Sequence, residues 1–223
     1  MMKGLVSFFF LLAGCHQAAG AVNTKTILLF PEATSTNYVS LKPTEKVLHQ
    51  ITVCLRSYTD LTREHSLFSL ATPNKDNAFL IYFSPPNNIS ISINNEDIFI
   101  KVDPDVYYWK KTCVTWDSTN GLLQLWINNK RYPRRVTKTR SPIGPQMSVV
   151  LGQEQDSYGG GFDINQSFLG EMCDVNMWDS VLPETSVRVI LTDQFSLTGN
   201  IYNWNDENFQ VHGPILVLKD QYI

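Results

Sequence analysis

This chain predicts an all-β fold, a sandwich or barrel of many short strands with one helix. Apolar and polar residues alternate at period two: Ile89, Ile91 and Ile93 against Ser90 and Ser92, and Leu123, Leu125 and Ile127 against Gln124 and Trp126. Turn-forming clusters interrupt these runs at Ser84-Pro85-Pro86-Asn87, Asn94-Asn95, Ser118-Thr119-Asn120-Gly121, Asn128-Asn129 and Gly159-Gly160-Gly161. One segment departs from the pattern. Pro183 and Glu184 open it, and Val187, Ile190 and Leu191 recur at helical spacing, which predicts a short helix over residues 183–191. No internal repeat or low-complexity tract is visible, so residues 21–223 read as one domain.

Taken in order, the chain opens with Lys3, an apolar run over residues 5–13, and the small residues Ala18, Ala19 and Gly20. That pattern reads as a secretory signal peptide over residues 1–20. Its apolar run is shorter than the roughly 20 residues a membrane span needs. Leu12-Ala13-Gly14-Cys15 also spells a lipoprotein cleavage box, in which case Cys15 would carry lipid. The expected product is secreted and extracellular, with no transmembrane segment. A net charge of −3 does not point to nucleic acid. Of the four cysteines, Cys15 leaves with the signal, so one disulfide and one thiol are expected from Cys54, Cys113 and Cys173. Cys54 and Cys113 sit at the centres of strand-like runs, which makes them natural partners. Cys173 lies in an apolar context and reads as a buried, inert thiol.

The stretch Leu-Gly-Gln-Glu-Gln-Asp-Ser-Tyr-Gly-Gly over residues 151–160, with the Gly-Phe-Asp-Ile-Asn-Gln that follows, gathers hard oxygen donors into a glycine-loosened loop. Calcium takes about six to eight oxygens in a flexible shell, so it suits this donor set. Zinc wants nitrogen or sulfur at tetrahedral spacing, and neither is at hand. Two acceptor sequons occur, at Asn88 and Asn165, and Asn88 in its Pro-rich turn is the expected glycan site. The basic run over residues 130–140 has a polyanion-binding reading beside its ordinary one as a solvated hairpin. His49, His65 and His212 show no metal or catalytic spacing and read as structural or surface residues.

Phe-Pro-Glu-Ala-Thr-Ser-Thr-Asn-Tyr-Val-Ser-Leu from Phe30, Ile-Thr-Val-Cys-Leu-Arg-Ser-Tyr from Ile51, the Cys113-Val-Thr-Trp-Asp-Ser box, the loop from Leu151, and Asp-Val-Asn-Met-Trp-Asp from Asp174 together resemble the pentraxins. The match spans essentially the whole mature chain, and departs at Lys111, where the family box begins with His. The resemblance implies a two-sheet jelly-roll, lectin-like sandwich, a Cys54–Cys113 bridge, a homopentamer and two calcium ions per subunit. It assigns the first ion to Asp76, Asn77, Glu154, the main-chain carbonyl of Gln155, and Asp156. The second goes to Glu154, Asp156, Asp163 and Gln166. Asp163 stands where the family commonly has Glu, a reach shorter by about 1.5 Å, so a weaker second site is expected.

The implied function is calcium-dependent pattern recognition in innate immunity and the acute phase, through phosphocholine, phosphoethanolamine or related phosphorylated and carbohydrate ligands. Tyr82, Ser92 and Asp97 correspond to the amine pocket, and a hairpin around Pro85–Asn88 is expected to set Tyr82 opposite Ser92. The short Asp97 and small Ser92 lead to the expectation that phosphoethanolamine competes at least as well as phosphocholine. The complement recognition molecule and immunoglobulin receptors are the implied effector partners. Two positions tied to complement, an Asp and a Tyr in the C-reactive protein branch, are Asn128 and Leu191 here, which weakens that expectation. The alternative from another class is a jelly-roll glycoside hydrolase using Glu154 and Asp156. Tyr158 stands where such enzymes continue with a third carboxylate, and no Gly-x-Ser-x-Gly elbow is present.

Overall fold

The structure is a computed structural model and describes residues 24–104, 108–192 and 197–220; the predicted signal peptide lies outside the described residues. In chain order the strands are β1 (Lys25–Phe30), β2 (Tyr38–Leu41), β3 (Gln50–Tyr58), β4 (His65–Thr72), β5 (Lys75–Ser84), β6 (Asn88–Ile93), β7 (Glu96–Lys101), β8 (Lys110–Asp117) and β9 (Leu122–Ile127). They continue with β10 (Lys130–Arg131), β11 (Arg135–Val136), β12 (Ser148–Leu151), β13 (Gly170–Trp178), helix α1 (Glu184–Leu191), β14 (Phe209–His212) and β15 (Leu216–Asp220). One antiparallel sheet has the order β10-β9-β8-β3-β13-β1-β15, with β11 also on β9; the other runs β14-β2-β12-β4-β5-β6-β7. The result is a jelly-roll sandwich with a single helix.

The period-two residues explain the packing. Ile89, Ile91 and Ile93 of β6 point between the sheets and are fully buried with Phe79, Ile81, Leu123 and Leu125. Each such side chain contributes about 1.5–3 kcal/mol relative to exposure. Ser90 and Ser92 lie on the opposite face, toward the outside of the second sheet. Strand β9 departs from a simple inside-outside split, because Trp126 on its outer face is also buried. Helix α1 covers that face. Val187 and Leu191, one turn apart, pack on Cys54, Cys113, Trp126 and Trp178 in a second apolar cluster. Glu184 stands in the first turn and Arg188 in the last, the favoured order for the helix dipole.

Cys54 and Cys113 are directly opposed on neighbouring strands β3 and β8, and they form the disulfide. Cys173 is the buried free thiol, and burial pushes its pKa up to about 12. Register corrects one expectation. Tyr82 pairs with Ser90, and Ser92 pairs with Leu80 on one side and Asp97 on the other. The turn at residues 85–87 thus leaves Tyr82 diagonal to Ser92, because β6 begins at Asn88 opposite Ser84.

Candidate functional site

Asp76 and Asn77 open β5, and the neighbouring β6–β7 hairpin turn holds them. Asn94 and Asn95 both take positive φ, 50° and 66°, as a tight two-residue hairpin turn requires. Asn95 donates its backbone N–H to the Asn77 carbonyl at 2.9 Å and its side-chain amide to Asp76 Oδ1 at 2.6 Å. Its Oδ1 accepts from the Asn77 N–H at 3.2 Å. Asn95 is therefore part of the site's scaffold, visible in the sequence only as a turn residue.

Strand β12 delivers Glu154 to the same neighbourhood, and its two glutamine neighbours anchor it. Gln153 donates to the carbonyls of Thr34 and Asn37 at 2.7 and 2.9 Å. Gln155 donates to the carbonyls of Ser69 and Ser148 at 3.0 and 3.1 Å and accepts from the Gly159 N–H at 2.9 Å. Glu154 itself is 2% exposed, and neither carboxylate oxygen has a hydrogen-bond partner. Burial, then the Asp156 charge, raises its pKa to about 7, with Asp76 and Asp97 adding to the rise. The Asn77 side chain lies close enough to offset part of that rise without meeting hydrogen-bond geometry, and its Oδ1 is likewise buried and unpaired.

Asp156 is exposed and leads into a tight turn closed by reciprocal Ser157 and Gly160 hydrogen bonds. The glycines serve this turn by adopting positive φ at Gly159 and Gly161. Gly161 has φ +78°, and a Cβ there would lie 2.9 Å from the Asp156 Cβ. Asp163 caps the short 3-10 turn Ile164–Gln166, accepting from the Asn165 N–H at 2.9 Å and its amide at 3.0 Å. Gln166 Oε1 is buried and unpaired. Arg63, which sequence reading passed over, ties this turn to β4 through the Asn165 carbonyl at 2.9 Å and Ser167 Oγ at 3.1 Å. Among the described residues, no three His, Cys, Asp or Glu side chains converge into a metal-binding cluster. Asp76 is bonded to Asn95, Asp163 caps its turn, and Asp156 faces solvent.

Tyr82, Ser92 and Asp97, the residues expected to form an amine pocket, sit on the outer faces of β5, β6 and β7. Ser92 is buried and donates to the exposed Asp97. Tyr82 is half-buried, and burial, then the Glu64 and Glu154 charges, holds its phenol protonated beyond the ordinary range. Glu64 accepts from Ser84 Oγ at 3.0 Å and from the Tyr82 hydroxyl at 3.5 Å, a partner unmarked by any sequence motif. Asn88 opens β6 with its amide donated to Asn87. The basic run is substantially engaged within the fold. Lys130 pairs with Asp103 at 2.8 Å, Arg131 with Glu184 at 2.7 Å, and Arg134 donates to Gln124 at 2.9 Å. Leu191 lies on the inner face of α1 and is buried, so it offers no surface contact.

A lectin-like jelly-roll sandwich with unpaired oxygen donors at one face is the class that this fold and site define. Residues 26–219 match the Pentaxin family. The chain is 65% identical over 224 residues to jeltraxin of Lepidobatrachus laevis, covering 100% of this chain and 99% of that protein. It is 48% identical over 215 residues to C-reactive protein of Xenopus laevis, covering 95% and 90%. The native heptameric SAP-like pentraxin from Limulus polyphemus has the same fold, with a TM-score of 0.79 at 24% identity over 86% of this chain and 94% of that one. This chain belongs to the pentaxin, or pentraxin, family. No helix among the described residues is long and apolar enough to cross a membrane.

Proposed function

We propose that this chain is a secreted, calcium-dependent pattern-recognition protein of innate immunity and the acute phase. Its ligands are phosphocholine, phosphoethanolamine or related phosphorylated and carbohydrate groups. The observation that carries the reading is the buried Glu154 carboxylate, unpaired on both oxygens, with the unpaired Asn77 Oδ1 beside it. A buried carboxylate without a partner is costly, and hard oxygens are what calcium binds. Asp76, Asn77, Glu154, the Gln155 carbonyl and Asp156 would hold one ion; Glu154, Asp156, Asp163 and Gln166 would hold the second. Bound calcium supplies a positive centre with coordination positions left for phosphate oxygens. Asp163 has one oxygen engaged by Asn165, which together with its short reach makes the second site the weaker.

The chain's own residues would handle the rest of the ligand. Ser92 orients the Asp97 carboxylate toward an ammonium, and Tyr82 presents its ring. Relatives named as C-reactive protein support recognition over chemistry, and no observation favours a hydrolase built on Glu154 and Asp156. The mature protein begins after the predicted signal peptide, carries a glycan at Asn88, and assembles as a noncovalent ring of five. Leu216, Val217 and Leu218 support assembly. They are 51%, 44% and 37% exposed on β15, the last strand of its sheet, and such an edge ordinarily needs cover. Immunoglobulin receptors are retained as effector partners; complement recruitment through Leu191 finds no support in its burial. The test is retention on phosphocholine and phosphoethanolamine resins. Elution by chelator is expected, and retention that ignores chelator would sink the metal-bridged reading.

A further inference from the structure

The most exposed aromatic residue among the described residues is one that neither the loop nor the amine pocket uses. Phe99 is 68% exposed on β7, the outermost strand of its sheet. Its register partner on β6 is Ser90, and the partner of Ser90 on β5 is Tyr82. Ile98 and Ile100 alternate with Phe99 and pack toward the core, so Phe99 shares the outer face with Tyr82, Ser90, Ser92 and Asp97. Two aromatic residues thus stand in one row across three strands, with a small side chain between them. Ser90 is only 6% exposed and closes the floor.

We infer that Phe99 is a specificity-determining residue, forming with Tyr82 a two-ring slot over Ser90 that selects a quaternary ammonium group. The inference rests on the calcium-dependent reading above, since the slot receives the amine end of a ligand whose phosphate is held at the calcium site. Strand spacing sets the dimension. Two strand separations place the Tyr82 and Phe99 backbones about 9.5 Å apart. A cation midway stands about 5 Å from each ring, inside the roughly 6 Å reach of a cation–π contact. Charge is complementary on both sides. Asp97 lies two residues along the same strand, and Glu64 holds the far side of Tyr82 through its hydroxyl.

A trimethylammonium group donates no hydrogen bonds, so ring faces and carboxylate charge are its whole means of recognition. A primary ammonium is strongly hydrated and uses carboxylate oxygens instead. From Asp97 and Ser92 alone the primary amine has the advantage; Phe99 reverses that ranking.

Calorimetric titration of the full protein at saturating calcium, with phosphocholine and phosphoethanolamine, tests the slot. Wild type is expected to prefer phosphocholine. Phe99→Ala should weaken phosphocholine about three- to fivefold, the equivalent of one exposed cation–π contact, and leave phosphoethanolamine within about 1.5-fold. Phe99→Tyr should restore the preference, and Phe99→Leu, apolar without a ring, should not. The exposed position makes each variant a safe one for folding. Equal losses for both ligands, or none in Phe99→Ala, would overturn the slot while calcium-dependent binding stood. Absence of calcium-dependent binding to either ligand in wild type would bring down the parent reading as well.

Discussion

His65 shows how one residue links burial to stability. Its ring is buried between Phe83 and Phe168, with Nδ1 2.9 Å from the Arg63 carbonyl, which accepts from the Nδ1–H tautomer. Desolvation lowers its pKa from the ordinary 6.5 to about 4, and the Lys110 and Arg63 charges act the same way. The unfolded chain therefore binds a proton that the folded chain refuses between these values. The stabilisation is present above pH 6.5 and is lost as pH falls toward 4. Urea unfolding at fixed calcium should show about 2 kcal/mol less stability at pH 5 than at pH 7 from this group. His65→Asn, whose amide retains an N–H donor, should flatten the slope by that amount; an unchanged slope would assign it elsewhere. Nothing in the sequence near His65 signalled burial, because its neighbours are Phe83 across the β4–β5 pair and Phe168 from the segment between the 3-10 turn and β13. The same holds for Arg63 and Glu64, which reach the site through partners remote in sequence.

Elements were more legible than contacts. Alternation at Ile89, Ile91 and Ile93 and the spacing of Val187 with Leu191 identify a core strand and the helix, because periodicity reports which face is covered. Register was less legible: the predicted opposition of Tyr82 and Ser92 failed by one diagonal, since a turn of Pro and Asn residues allows several loop lengths. Trp126 looked like an outward residue, and only the helix lying across the disulfide explains its burial. The Cys54–Cys113 bridge joins two cysteines 59 residues apart in sequence, so replacing both with serine should cost about 4 kcal/mol by the chain-entropy relation. Denaturant titration checks this. A cost below about 1 kcal/mol would mean that β3–β8 pairing and α1 packing already restrain the chain without it.

At the scale of the whole molecule, the sandwich leaves β15 with aliphatic side chains exposed on both faces at the end of a sheet. The proposed ring of identical subunits would cover such an edge and close on itself. Val217→Lys places a charge in that surface and should yield a single subunit in sedimentation where wild type sediments as an oligomer. A monomeric wild type at low micromolar concentration would contradict the ring. The proposed calcium site is the centre of the account, and it would join segments far apart in the chain: Asp76 and Asn77 on β5, and the Glu154 loop after β12. Family resemblance made those residues legible, whereas the unpaired state of Glu154 emerged only from the fold. Calorimetric titration of calcium into wild type and Glu154→Gln tests this claim most directly. Two binding events are predicted for wild type, the weaker one assigned to Asp163 and Gln166, and neither should survive in Glu154→Gln while its stability in chelator is unchanged or higher. An unaltered calcium isotherm in Glu154→Gln would contradict the account.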